Sequence, residues 1–373
     1  MKKYFILTLA IAGLALVSCQ KEKFIENSEA PANEITLKAA TVSTRSAING
    51  TTFPDGYGML VSAYRNSEEG TTAGEGDTSG DYFEGIKFTK GGSSSTVWGG
   101  ATPKYWPLNG KLDFLCIASA GIADNTKGVV PTCEWGVGSN VAKQVVATVP
   151  DNKTMFDDIL YGSANAETYD SEGNQVVFKH AECAVVFLAK STVAYNETTN
   201  VGITITDITV NGPKTSGVLT VSNPLAGGGT TGSLSASWDV SSGDTTTALK
   251  AKVWNTSNTG NATESALTEL HLSNAYTDAS ANLDAKHFGD AYVIVPPQDA
   301  VSFTISYTLH NGKEADGNTN LDRNYTYKRE PTTGEKWEMG KKVVYKINIT
   351  LHGIEIAPEI TDWVNDPRPI NIE

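Results

Sequence analysis

The chain has 373 residues, enough for two domains of ordinary size. Its net charge of −13 argues against nucleic acid and anionic membrane surfaces as partners. With 39% hydrophobic and 19% charged residues it is not a disordered chain, and 35 Gly among many Ser and Thr favour strands and turns over helices.

The N-terminus reads as an export signal. Lys2 and Lys3 form a positive region, and Tyr4 to Val17 is an apolar run too short to span a bilayer comfortably. The run closes on Leu16-Val17-Ser18-Cys19. A small residue followed by Cys resembles the bacterial lipoprotein signal, which implies that residues 1–18 are removed and that Cys19 becomes a lipidated N-terminus. Acyl chains hold a protein at a membrane through their buried CH₂ groups, so removing that segment releases it.

Residues 19–45 then read as a lipidated spacer and a removable strand. Ile35, Leu37 and Ala39 alternate with Thr36, Lys38 and Ala40, so one face of an extended segment can lie on a core. Removing such a strand exposes an apolar groove and unpaired edges that favour another strand. Burying Ile35 and Leu37 is worth about 2 to 5 kcal/mol together. Arg45 follows this strand and precedes the turn Phe53-Pro54-Asp55-Gly56, which makes it the candidate cleavage residue. Lys38, inside the strand, and Arg65, beyond the next one, are the competing sites.

Short strands separated by turns follow: Gly58 to Tyr64, a polar loop from Asn66 to Asp81, then Tyr82 to Thr89, Thr96 to Trp106 and Lys111 to Ser119. Asp157-Asp158 precedes the apolar Ile159-Leu160-Tyr161, and Gln175 to His180 leads into Ala184 to Ala189. A second half begins near Thr192, with alternating runs at Asn200–Val210, Val301–Leu309 and Lys342–His352 and an apolar strand at Tyr292–Gln298. Asn261–His271 and Gly334–Gly340 are the only helix-like stretches. The pattern predicts an all-β chain, with a first sandwich over 46–191 and a second over 192–373.

Catalytic signals are missing. His180, His271, His287, His310 and His352 are scattered, and no His-Glu-x-x-His, Cys-x-x-Cys or Gly-x-Ser-x-Gly occurs. Asp157 and Asp158 point apart on a strand and suit turn capping. The expectation is no enzyme, cofactor or metal. Cys116 and Cys183 sit in apolar runs and read as buried small hydrophobes; with Cys133 they leave room for one disulfide whose pairing the sequence does not choose.

A set of short motifs recurs in one order: Lys104-Tyr105-Trp106-Pro107, Leu112-Asp113-Phe114, Asp158-Ile159-Leu160-Tyr161, Phe178-Lys179-His180-Ala181, Ile294-Val295-Pro296-Pro297-Gln298, Trp337-Glu338-Met339-Gly340-Lys341-Lys342, and Ile354 to Trp363. This order resembles the fimbrillin-like family, the type V pilins and related surface lipoproteins of Bacteroidales. The resemblance runs from Cys19 to Trp363. It implies two tandem transthyretin-like β-sandwiches and a lipoprotein precursor at the outer membrane. It further implies a cut after a basic residue by a trypsin-like surface protease, and strand exchange with other subunits of a fimbrium that serves cell adhesion to a host or bacterial receptor. The alternative is a glycan-binding surface lipoprotein, which would show two or three exposed, coplanar Trp rings on one face.

Overall fold

The computed structural model describes residues 33–41, 56–66, 81–91, 95–107, 110–136, 143–151, 157–226, 232–256, 262–266, 270–276, 291–314, 317, 319–350 and 353–362. Cys19, Arg45, most of the Asn66–Asp81 loop and the tail from Trp363 lie outside these residues.

The first strands in chain order are β1 (Thr36–Thr41), β2 (Gly58–Asn66), β3 (Asp81–Lys90), β4 (Trp98–Gly100) and β5 (Lys111–Ser119). A single helical turn, α1 (Ala120–Ala123), precedes β6 (Thr132–Trp135), β7 (Lys143–Val149), β8 (Leu160–Glu167), β9 (Asn174–His180) and β10 (Cys183–Ser191). Then come β11 (Val201–Val210), β12 (Gly217–Asn223), β13 (Ser235–Asp239), β14 (Leu249–Lys250), β15 (Lys252–Thr256), β16 (Ala262–Ala266) and β17 (Leu270–His271). The last are β18 (Ala291–Val295), β19 (Gln298–Asp299), β20 (Phe303–Lys313), β21 (Asn320–Arg329), β22 (Lys336–Trp337), β23 (Lys341–Thr350) and β24 (Gly353–Asp362). The chain is all-β, as its composition predicts.

Seven strands close into a barrel in the order β1-β4-β3-β2-β5-β8-β9. Neighbours are antiparallel except β1 and β9, which run parallel and complete the ring. Ile35, Leu37, Met59, Val61, Phe88, Phe114, Val176 and Phe178 fill its inside. The apolar run of β5 is buried on both faces. Its Phe114 and Cys116 serve the barrel, while Leu115 and Ile117 pack outward against Val145, Ala147, Leu219 and Val221. Those four residues belong to β7 and β12 of a separate sheet, ordered β13-β12-β7-β6.

The remaining strands form a six-stranded sheet, β16-β15-β18-β10-β23-β24, and a facing sheet, β14-β11-β20-β21 with β17 beside β11. They share one core around Phe187, Phe303 and Tyr345, whose rings lie 4.8 to 5.7 Å apart. Strand pairing crosses residue 192 in both directions. β10 lies in the six-stranded sheet with later strands, and β12 returns to pair with β7 and carries β13 on its other side.

Neither helix-like stretch is helical among the described residues. Ala262–Ala266 is a strand paired with β15, and Lys336–Trp337 pairs with β19 while Trp337 enters the core. Local spacing near Gly334–Gly340 mimics a helix, but burial of Trp337 and its bond to the Tyr345 hydroxyl decide the conformation. Arg65 is not beyond the first body strand: it lies in β2 and stacks over the Tyr82 ring at 5.3 Å. The three cysteines are free thiols, each in a different core.

Arg329, at the end of β21, forks onto both oxygens of buried Glu335 at 3.0 and 2.6 Å. Burial would raise the Glu335 carboxyl, but Arg329, the Tyr345 hydroxyl and the Thr332 amide hold it down at about 2. A depressed carboxylate stabilises the fold above its unfolded value, near 4.5, and that contribution is lost as pH falls toward 2. Acid unfolding monitored by near-UV circular dichroism should therefore be less steep below pH about 4.5 in Glu335→Gln than in the parent.

Candidate functional site: the barrel-closing strand

β1 occupies the gap between β4 and β9. Against β9 it pairs over five residues, from Leu37 opposite Asn174 to Thr41 opposite Phe178. Against β4 only Thr36–Gly99 and Leu37–Trp98 are in register. The segment ahead of it continues that edge. The Ile35 amide donates to the Lys104 carbonyl at 2.7 Å, the Trp106 amide donates to the Asn33 carbonyl at 2.9 Å, and Glu34 bridges Tyr105. Lys104-Tyr105-Trp106, one of the recurring motifs, is thus the receiver of the first strand. Trp106 packs edge-on to Phe114 beneath it, with centroids 5.8 Å apart.

Alternation places the side chains. Ile35 and Leu37 are fully buried in the barrel, and Ala39 is half-buried at its rim. Lys38 points outward to Glu172 at 3.1 Å, an exposed pair of little energetic weight. Among the described residues, two buried side chains and backbone hydrogen bonds hold β1. No disulfide is involved.

Gly173, in the turn before β9, lies against Thr36 of β1. Its φ is +90°, and a Cβ there would lie 3.1 Å from Val97 Cγ1 and 3.2 Å from Thr36 Oγ1. Gly173→Ala should lower the thermal midpoint through backbone strain of about 1 kcal/mol, plus crowding of Thr36. A variant that melts with the parent would show that β1 does not depend on this approach.

One end of the barrel carries buried ionisable groups. Asp157 accepts from the amides of Ala120, Gly121 and Val129 at 3.0, 3.0 and 2.9 Å, so it caps the turn after β5 rather than its own strand. Burial pushes its carboxyl up to about 7 against the pull of those three donors. Asp158 faces the other way and meets His180 Nδ1 at 2.5 Å; burial raises its carboxyl and the histidine opposes the rise. Glu182 accepts from the Ile159 amide at 3.2 Å, while the Gly340 amide donates to the Glu182 carbonyl. These residues fasten the segment between β9 and β10. His180 is a partnered, buried histidine with a structural role.

Among the described residues, no group of three or more His, Cys, Asp or Glu is arranged to hold a metal ion. Trp98, Trp106 and Trp337 are buried, and Trp135 and Trp238 are half-buried. No exposed Trp platform exists among the described side chains. Sequence reasoning missed Gly173 and the Lys104–Trp106 receiver. The Asp170-Ser171-Glu172-Gly173 turn before an alternating strand was the available sign of the first.

A family model described as fimbrillin-like matches residues 44–363, beginning just past β1. Among solved structures, a fimbrial protein from Bacteroides vulgatus is 13% identical, with 88% of this chain and 99% of that one aligned at a TM-score of 0.50, a likeness of fold alone. A candidate cell adhesion protein from Bacteroides ovatus aligns at 14% identity over 90% and 99% of the two chains, with a TM-score of 0.42. A tip fimbrial protein from Porphyromonas gingivalis, truncated at its C-terminus, aligns at 10% identity over 88% and 98%, with a TM-score of 0.30. No curated protein matches the chain.

Proposed function

The chain belongs to the fimbrillin-like family, and we propose from this that it is a structural subunit of a type V pilus, as stalk, tip or accessory part. Membership supports a pilus-type adhesion subunit at the cell surface that contacts other pilus subunits. It points to a structural part rather than an enzyme. In our reading the chain is exported as a lipoprotein through Cys19, reaches the outer membrane, is cut after Arg45 by a trypsin-like protease and joins its neighbours by strand exchange. The barrel with its outer sheet, and the six- and five-stranded sheets, are read as two transthyretin-like units.

One observation carries this reading: β1 closes the barrel with Ile35 and Leu37 fully buried, yet β4 meets it over only two residue pairs. Taking it out converts a closed ring into a groove with two free edges, and a strand from another subunit restores the ring. Lipid release and groove opening would be one event.

Two experiments test the processing steps. Cys19→Ala should leave the body folded and abolish membrane association, since the acyl chains supply that affinity; an Ala variant still in the membrane fraction would remove the lipoprotein claim. A trypsin-like protease added to the folded precursor should cut first at Arg45 and leave a resistant body, read as the mass of the product. A first cut after Lys38 or Arg65 would rule Arg45 out.

A further inference from the structure

A second edge, far from β1 in sequence, is open for different reasons. Among the described residues β21 has a neighbour on one side only. It is ten residues long and contains no Pro or Gly. β24, the edge of the facing sheet, carries Pro358, which has no N–H to offer. β21 has no such guard. Its odd-numbered residues share a face with Ile305, Tyr307 and Leu309 across the register. On that face Leu321, Tyr325 and Tyr327 are 43, 40 and 37% exposed. A long edge free of Pro and Gly, with three exposed apolar residues on one face, offers its backbone to another strand, and the charges it carries decide which one.

The residues of β21 indicate which strand. Set two copies antiparallel about a two-fold axis through Tyr325, so that one sheet runs through both. Asp322 then stands opposite Lys328 of the second copy, and Lys328 opposite its Asp322. Arg323 meets Tyr327, a cation over an aromatic face. Asn324 meets Thr326, and Tyr325 meets Tyr325. Every opposed pair lies on one face, as an antiparallel ladder requires. Moving the axis to Thr326 sets Arg323 against Arg329 and Asp322 against Glu330, both like charges. Moving it to Asn324 sets Asp322 against Thr326 and loses both ion pairs.

Asp322 is held in place by bonds back into its own sheet. Its Oδ1 accepts from Asn200 Nδ2 at 2.8 Å and contacts His310 Nδ1 at 2.9 Å. Lys328 contacts Glu330 on the surface at 2.6 Å, an exposed pair that exchanges at little cost. A net charge of −13 opposes association in general, so a locally matched edge is what allows it.

We propose that the chain self-associates as a two-fold dimer through β21, paired antiparallel from Asp322 to Lys328 about Tyr325. This association does not depend on β1 or on its removal. Single cysteines in the full chain test it by register. Under mild oxidation Tyr325→Cys should cross-link to itself. Asn324→Cys and Thr326→Cys should stay uncrosslinked alone and cross-link to each other when mixed. The unsubstituted chain, with its native cysteines, is the control. Sedimentation equilibrium adds a second reading: Lys328→Glu turns two ion pairs into two like-charge contacts and should weaken the dimer roughly tenfold, with the thermal midpoint of the monomer unchanged. A parent that sediments as a monomer, with no cross-link at Tyr325→Cys, would overturn the dimer. Self-cross-linking of Asn324→Cys instead would overturn the axis.

Discussion

Replacing both Ile35 and Leu37 with Asp should open the barrel without any cut. Both side chains are fully buried among Met59, Phe114 and Phe178. Their burial is worth about 2 to 5 kcal/mol, and a carboxylate cannot take their place without a large desolvation cost. The cheaper outcome is for the strand to leave its groove, giving up its pairing with β9, two register pairs with β4, the backbone bonds to Lys104 and Trp106 and an exposed Lys38–Glu172 pair. The double variant should therefore melt well below the parent. It should lose hydrogen-exchange protection along β9 and β4 while keeping it in the six-stranded sheet. An unchanged midpoint, with β9 still protected, would mean that β1 is a passive tether.

A loss of similar size is expected at the other end of the barrel. Asp157→Ala leaves the amides of Ala120, Gly121 and Val129 without their shared acceptor. Each unsatisfied buried amide costs about 1 to 3 kcal/mol, against a total stability of about 5 to 15 kcal/mol for a typical domain. Asp157→Asn keeps the shape but turns one acceptor into a donor, and should lose part of the same stability. Chemical denaturation of the two variants measures both. If Asp157→Ala unfolds at the parent's midpoint, the turn after β5 is held by Ser119 alone, which accepts from the Ile122 amide and donates to the Val129 carbonyl.

What the sequence made legible was whatever alternation encodes. β20 and β23 each bury one face against a core, so their apolar residues recur every second position and announce both strand and facing, while β11 alternates only as far as Ile205, where a bulge shifts the pattern to Ile208 and Val210. Ile35 and Leu37 were readable in the same way. β21 was not, because nine of its ten residues are exposed and no periodic pattern survives. The parallel pairing of β1 with β9 was also hidden. It joins residues far apart in the chain, and nothing in the alternation of β1 names β9 as its partner. The return of β12 to β7 escaped for a related reason: two half-buried strands pair across about 70 residues, and neither carries a mark of its partner.

The displaceable first strand is tested most directly by the thermal midpoint of the body beginning at Ser46, measured alone and with a peptide spanning Asn33 to Thr41. The body alone should melt below the full chain or oligomerise, since its barrel lacks a strand. The peptide should raise the midpoint with concentration, as any ligand of the folded state does, and a peptide carrying Asp at positions 35 and 37 should not. Equal midpoints for the full chain, the body and the body with peptide would contradict the account.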